Sequence, residues 1–183
     1  MKFSVLIVNY ASWPLTLRCI QSLQGTDYEG FETIVVDNDS VQPPDLPPPV
    51  RLIRNKENVG FARAHNRGIA ASTGDLLVLI NPDTVVERDF FRSLEEFFGE
   101  TLRVGVAGPK ILDSEGQLQL SARREISALS GFLGRTSLLT RLFPKSPLVK
   151  SQFPAVTEGS HPASVDWVSG ACMVVRRDAI QQI

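Results

Sequence analysis

The sequence predicts an α/β fold, a mostly parallel sheet flanked by helices and incomplete at its C-terminal end. Three observations predict it. Short apolar runs alternate with helical stretches in the order β-α-β-β-α-β-α-β. The first run, "FSVLIVN", is apolar along most of its length rather than at every second residue, as in a strand covered on both faces. Two of them finish on a carboxylate, Asp37 after "TIVV" and Asp83 after "LLVLINP". In such sheets ligands bind beyond the carboxyl ends of the strands.

The elements follow in order. "FSVLIVN" (3–9) is short and β-branched and reads as a buried strand. Ser12 and Pro14 mark a helix start, and Leu15, Cys19 and Leu23, with Ile20 beside them, form one apolar face. "FETIVVDN" (31–38) is a second strand. "SVQPPDLPPPV" (40–50) is a proline-rich loop, and "VRLIRN" (50–55) a short third strand. "GFARAHNRGIAAST" (60–73) is helical, with Gly74 as its stop. "DLLVLIN" (75–81) is the fourth strand. "ERDFFRSLEEFFGE" (87–100) is an amphipathic helix whose phenylalanines read as core packing. "VGVAGPKILD" (104–113) is strand-like, with a Gly-Pro break. Beyond residue 114 the pattern weakens. "LSARRE" (120–125) is polar and basic, 130–143 is a candidate helix carrying Arg135 and Arg141, and 144–162 is a long loop. "SVDWVSGACMVVRRDAIQQI" then restarts as a strand leading into a helix.

Composition removes several classes of function. The 183 residues suffice for one domain with a substantial core. A net charge of −1 creates no general attraction for nucleic acid or an anionic membrane. No apolar run approaches the roughly 20 residues that span a bilayer, and Asn9 cuts the first run short of a signal-peptide core. Cys19 and Cys172 have no metal or redox spacing, and neither do His65 and His161. The expected compartment is the cytoplasm, including the inner face of the membrane. The 130–143 stretch has two readings, a helix packed on its own domain and a peripheral membrane contact.

The first strand is followed by "NYASWP", which has neither the glycines of a dinucleotide-binding turn nor a P-loop. The phosphates of any bound nucleotide therefore need another partner, and a divalent cation, Mg2+ or Mn2+, is the expected one. Such a cation bridging a diphosphate needs only one or two protein carboxylates. Asp83 suits that role, because Pro82 ends the ladder and turns the next carboxylate out of the sheet. The alternative reading makes Asp83 a cap of the following helix. With the first strand between the second and fourth, Asp37 and Asp83 lie two strand spacings apart, roughly 10 Å. That is about the reach from a pyrimidine to its diphosphate, so Asp37 is expected to accept the N3–H of uracil or thymine. Its alternative reading is a plain turn after a strand.

Six stretches together, "VLIVNYAS", "IVVDNDS", "NVGFARAHNRGIAAS", "LLVLINPDT", "VAGPKILDSEG" and "VDWVSGACMVVRR", resemble family 2 glycosyltransferases of the GT-A (Rossmann-like) fold. The nearest resemblance is to the rhamnosyltransferase-like branch, and it runs from residue 3 to about 177. It implies one GT-A domain over residues 1–183, with 1–113 as the nucleotide-binding half and 114–183 as the truncated start of the acceptor-side half. It implies an inverting transferase that moves a sugar from a UDP- or dTDP-linked donor to a polysaccharide or lipid-linked acceptor in cell-surface glycan synthesis. Asn9 and Tyr10 would line the base pocket, and Asp37 would contact the base with Asn38 beside it. Asn58, Gly60 and Arg63 would lie against the nucleotide and its phosphates, where the helix start also offers free N–H groups. Asp83 matches the last carboxylate of the family's metal motif, whose first is replaced here by Asn81. Trp167, Ser169 and Gly170 would shape the acceptor side. The general base of relatives follows the "RR" stretch, so it is expected beyond Ile183, and neither Asp113 nor Asp166 matches it. The rival reading is a nucleotide-sugar-binding module without catalysis. A sugar-1-phosphate nucleotidyltransferase would want a glycine-rich basic loop after the first strand, which "NYASWP" is not.

Overall fold

The structure, a computed structural model, describes residues 1–119, 121–123 and 162–182. The candidate helix at 130–143, the loop at 144–162 except its last residue, Arg124 and His161 lie outside the described residues. The chain forms two compact units, Met1–Ala107 with Gly170–Ile183, and Gly108–Ser169.

The first unit is a six-stranded sheet. Its strands are β1 (Phe3–Asn9), β2 (Phe31–Asn38), β3 (Arg51–Asn55), β4 (Leu76–Ile80), β5 (Val106–Ala107) and β8 (Cys172–Arg176), in the spatial order β3-β2-β1-β4-β8-β5. The first four are mutually parallel, as the apolar centres of β1, β2 and β4 suggest. β1 does lie between β2 and β4. β8 then runs antiparallel to both β4 and β5, so the sheet is mixed beyond β4. All seven residues of β1 and all five of β4 are buried.

Side chains of the sheet alternate between two packed faces. Leu6, Val8, Ile34, Val36, Leu77 and Leu79 meet Ala64 of α2 (Phe61–Ala71). On α2, Gly68 lets the helix sit close to Leu6 and Val36. α1 (Trp13–Gln24) buries Thr16, Cys19, Ile20 and Leu23. Leu15, expected on that apolar face, is instead 41% exposed. α3 (Phe90–Glu100) buries Phe91, Leu94 and Phe98. The Phe91 ring stacks on Phe31 at 4.4 Å and touches Phe3 at 5.1 Å, so the phenylalanine-rich helix is core packing, as its pattern suggests.

Boundaries differ from expectation for local reasons. α3 begins at Phe90 rather than at 87, with Asp89 as its N-cap residue. α2 stops at Ala71, before Gly74. Gly74 is there for a close approach: a Cβ would stand 2.6 Å from the Ser4 nitrogen and 2.7 Å from the Phe3 carbonyl carbon. The strand-like run at 104–113 shrinks to β5, because Gly108-Pro109 ends the ladder. The single strand expected in the last stretch is two, β7 (Trp167–Val168) and β8, with Gly170 between them, followed by α4 (Arg177–Ile180). In the second unit β7 pairs antiparallel with β6 (Ala122–Arg123), and Leu112 bridges Leu118. Among the described residues no helix is long and apolar enough to cross a membrane.

Candidate functional site

Each of the four parallel strands delivers an asparagine at its carboxyl end: Asn9, Asn38 and Asn55 close β1, β2 and β3, and Asn81 follows β4. A neutral amide donates and accepts at once, so it can bridge neighbouring strand tips without burying a charge. Beyond these tips lies a cavity of about 520 Å³, within the range of small-ligand sites. Val8, Tyr10, Ser12 and Leu15 form one wall, Asn38, Asn58, Gly60 and Phe61 another, and Asn81, Pro82 and Asp83 a third.

Asn9 is buried beneath this cavity and saturated with partners. Its Nδ2 donates to Asp37 Oδ1 at 3.0 Å and to Ser40 Oγ at 2.9 Å, while Ser12 Oγ and Thr16 Oγ1 donate to its Oδ1 at 3.0 and 2.8 Å. Asp37 is fully buried. Besides Asn9 its carboxylate accepts the Ser40 N–H at 3.3 Å and faces Arg54 Nε at 3.6 Å. The loop that follows bends sharply, with Asp39 and Gln42 in the left-handed region at φ 70° and 53°.

The third wall is a tight turn. Pro82 and Asp83 occupy its centre, closed by the Thr84 N–H donating to the Asn81 carbonyl at 3.2 Å. Pro at the second position and Asn at the first are the residues such a turn favours. The turn is pinned to the strand entering from the far end of the chain: the Ala171 carbonyl accepts from Asn81 N at 2.9 Å and from Thr84 Oγ1 at 3.3 Å. Asp83 is exposed there, and among the described residues its carboxylate has no hydrogen-bond or ion-pair partner. The N-cap of α3 is Asp89, so Asp83 is not spent on that helix. Its charge is felt below: burial first, and Asp83 second, push the Cys19 thiol up to about 12.

The second wall ends at the start of α2. Gly60 (φ 84°) turns the chain into the helix, which has no side-chain cap and no acidic residue in its first turn. Its first N–H groups therefore point outward unpaired. Arg63, in that same turn, is exposed. A basic residue at a helix N-terminus opposes the dipole, and an anion there would relieve both. His65, one turn in, is 3% exposed, lies edge-on to Phe61 at 4.4 Å, and has neither ring nitrogen hydrogen-bonded. Burial holds its pKa down at about 4.

Of the expected nucleotide and metal residues, Tyr10, Asn38, Asn58, Gly60 and Asp83 share the cavity wall. Asn9 and Asp37 lie buried beneath it, and Arg63 stands outside the wall. Trp167 and Ser169 belong to the second unit. Trp167 is 45% exposed on β7 opposite Arg123, and the Ser169 N–H donates to the Ser121 carbonyl at 2.7 Å. Gly170 opens the returning stretch of the first unit, with open space where a Cβ would stand. Sequence reasoning missed Leu15, Ser40, Asn55 and Phe61, and read Ser12 only as a helix start. The signal that could have found part of this set is the asparagine on every strand tip.

The residues fit a hard cation that draws most of its ligands from a diphosphate. Asp83 offers an unpaired carboxylate at the cavity wall, and no group of three or more His, Cys, Asp or Glu among the described residues forms an all-protein cage.

The family model described as "Glycosyl transferase family 2" matches residues 4–183. The N-acetylglucosaminyl-diphospho-decaprenol L-rhamnosyltransferase of Mycobacterium tuberculosis is 28% identical over 195 aligned positions, covering 98% of this chain and 62% of that protein. The chain thus spans less than two thirds of that relative's length. Staphylococcus aureus TarS (1–349) in complex with UDP-GlcNAc superposes with a TM-score of 0.56 at 20% identity, over 68% of this chain and 39% of that one. The mannosyltransferase PcManGT from Pyrobaculum calidifontis, in complex with GDP-Man and Mn2+, gives a TM-score of 0.53 at 22% identity, over 61% of this chain and 36% of that one. Both share the fold of this sheet.

Proposed function

The chain belongs to glycosyl transferase family 2, and from that premise we propose that its cavity holds the nucleoside diphosphate of an activated sugar for inverting transfer to an acceptor hydroxyl. The observation that carries this is the polarity of the cavity. One wall offers donors, from Asn58 and the open N–H groups of α2, and another offers the unpaired Asp83 carboxylate. A diphosphate suits that pair. Its oxygens would accept from the donor wall, and Asp83 would hold a cation that offsets their charge.

Each residue then has a task. Tyr10, more than half exposed at the wall, presents a ring face against a base. Asp37 reads the N3–H of uracil or thymine, which requires Asn9 or Ser40 to yield one of its oxygens as the 39–42 loop shifts. Arg63 and the start of α2 take the phosphates. Asp83 with Asn81 beside it holds Mg2+ or Mn2+, which when bound offsets the charge developing on the leaving diphosphate. The acceptor hydroxyl must lose its proton to a carboxylate, and no described residue is assigned that role. Trp167, Ser169 and Gly170 are proposed for the acceptor side.

The name of the rhamnosyltransferase relative supports a deoxysugar donor and an acceptor carrying a lipid diphosphate; a role in surface-glycan synthesis at the inner face of the membrane is part of the same proposal. The UDP-GlcNAc and GDP-Man complexes of the structural neighbours support a nucleotide-sugar donor in general. Calorimetry with UDP, dTDP, GDP and ADP, each with and without Mn2+, tests the proposal. Binding of UDP or dTDP that Mn2+ strengthens, with the strengthening lost in Asp83→Ala, is the expected result. Purine nucleotides binding as tightly as UDP and dTDP, or an Asp83→Ala chain that keeps its Mn2+ response, would overturn it.

A further inference from the structure

Asn58 hangs at the end of a chain of amides that begins outside the cavity. Arg67, on α2, donates through Nη1 to Asn55 Oδ1. Asn55 Nδ2 donates to Asn38 Oδ1 at 2.9 Å, and Asn38 Nδ2 donates to Asn58 Oδ1 at 2.6 Å. An amide can in principle face either way, because oxygen and nitrogen are nearly the same size. Here each is fixed by a group that can only donate. The guanidinium has no acceptor, so Asn55 must turn its oxygen to Arg67. The Val59 N–H donates to Asn38 Oδ1 at 3.1 Å, and the Gly60 N–H to Asn58 Oδ1 at 3.0 Å. All three amides are therefore polarised in one direction, away from Arg67 and toward the cavity. Among the described residues the Nδ2 group of Asn58 has no partner, and it belongs to a cavity-lining residue.

We propose that Arg67 is a positioning residue that, together with the Val59 and Gly60 N–H groups, sets the direction of the Asn55–Asn38–Asn58 relay, so that Asn58 presents only N–H donors to the ligand. The inference rests on the nucleotide reading for the identity of the ligand, but not for the relay itself. It makes that point of the cavity selective for an acceptor, a phosphate or carbonyl oxygen, and hostile to a donor. Asn38 and Asn55 are buried, so a reversed amide there would oppose two donors across a dry contact, and the chain switches as a unit.

Three variants separate the possibilities. Arg67→Lys keeps a donor, Arg67→Met removes it, and Arg67→Glu replaces it with an acceptor, which favours the reversed Asn55. Arg67 is exposed, so these changes are expected to leave the thermal midpoint close to that of the parent. In 15N-labelled protein without nucleotide, Arg67→Glu is expected to move the side-chain amide signals of Asn55, Asn38 and Asn58 together. Arg67→Met should shift them less, and Arg67→Lys should restore them. With UDP and Mn2+, Arg67→Glu should bind about ten-fold more weakly and Arg67→Lys within about two-fold of the parent, the scale of one hydrogen bond to a charged oxygen. Asn58 signals that stay in place in Arg67→Glu, or UDP affinity unchanged there while Asn58→Asp loses it, would overturn the relay. If the parent binds no nucleoside diphosphate, the nucleotide reading falls, and the free-protein amide signals alone decide the role of Arg67.

Discussion

His65 shows how a single residue can be legible in kind and not in consequence. Its spacing to other ligand-type residues argues against a metal site, and it is indeed enclosed, but only the fold shows both ring nitrogens without partners. Burial lowers its pKa from 6.5 to about 4. The folded value is thus below the unfolded one, and the unfolded chain takes the proton first. Stability from this site is complete above pH 6.5 and is lost as the pH falls toward 4, by about 3 kcal/mol at most. Urea titrations of His65→Leu against the parent should show the variant with a flatter stability profile between those two pH values. An identical slope in both would show that His65 is solvated. Asp37 illustrates the same limit from the opposite side. The sequence places a carboxylate at a strand tip, yet Asn9 and Arg54 reach it from the two neighbouring strands and Ser40 from the turn that follows it. The Ser40 contact is local, but no local pattern encodes those of Asn9 and Arg54, which depend on β1 and β3 becoming the neighbours of β2.

At the level of elements, the strands were readable because burial on both faces leaves only apolar residues in β4, and only Ser4 and the terminal Asn9 as polar residues in β1. Ends were harder. Leu15 keeps the spacing of a core residue but sits where α1 passes the cavity, so the apolar face continues into a ligand wall. Arg176, the last residue of β8, and Arg177, the first of α4, end the stretch "VDWVSGACMVVRR", and the fold makes them staples. Arg177 donates through Nε to the Gly74 carbonyl at 2.6 Å and through Nη2 to Ser72 Oγ at 2.8 Å. Arg176 donates to the carbonyls of Phe98, Thr101 and Val104 at 2.6, 3.4 and 2.8 Å, and its guanidinium lies 5.1 Å from the centre of the Phe98 ring. It thereby satisfies the open carbonyls at the end of α3 that no glycine cap covers. Arg176→Ala should cost about 2–4 kcal/mol in urea unfolding, because several half-buried carbonyls lose a charged donor at once. Arg176→Lys, a single-point donor on a flexible stem, should recover only part of it. A loss within 0.5 kcal/mol, about what surface substitutions show, would mean that water serves those carbonyls equally well.

At the scale of the molecule, the sequence order of strands conceals their spatial order. Parallel β2-β1-β4 follows from the helical connections α1 and α2, with β3 joined to β2 by a loop, but nothing in the alternation shows that β8 slots between β4 and β5 after the chain has passed through residues 108–169. The site depends on that late arrival. Ala171, at the mouth of β8, holds the turn that presents Asp83, so one wall of the cavity is secured by a strand added from the far end of the sequence. This has a measurable consequence in native-state amide exchange, which reports the free energy of opening each hydrogen bond. β1 and β4, flanked on both sides, should exchange only through global unfolding, whereas the edge strand β3 should open at lower cost. If β8 is an integral member of the sheet, Val174 and Val175 share the protection of β1. The Asn81 N–H, bonded to the Ala171 carbonyl, should then be protected well beyond a solvent-exposed turn amide. If β8 instead opens on its own, Asn81 exchanges with it and faster than β1, and the Asp83 turn would be a mobile wall rather than a preorganised one. A cation held by a single protein carboxylate gains most from the first arrangement. With few protein ligands to fix its position, the rigidity of the turn carrying Asp83 decides how well the cation is placed.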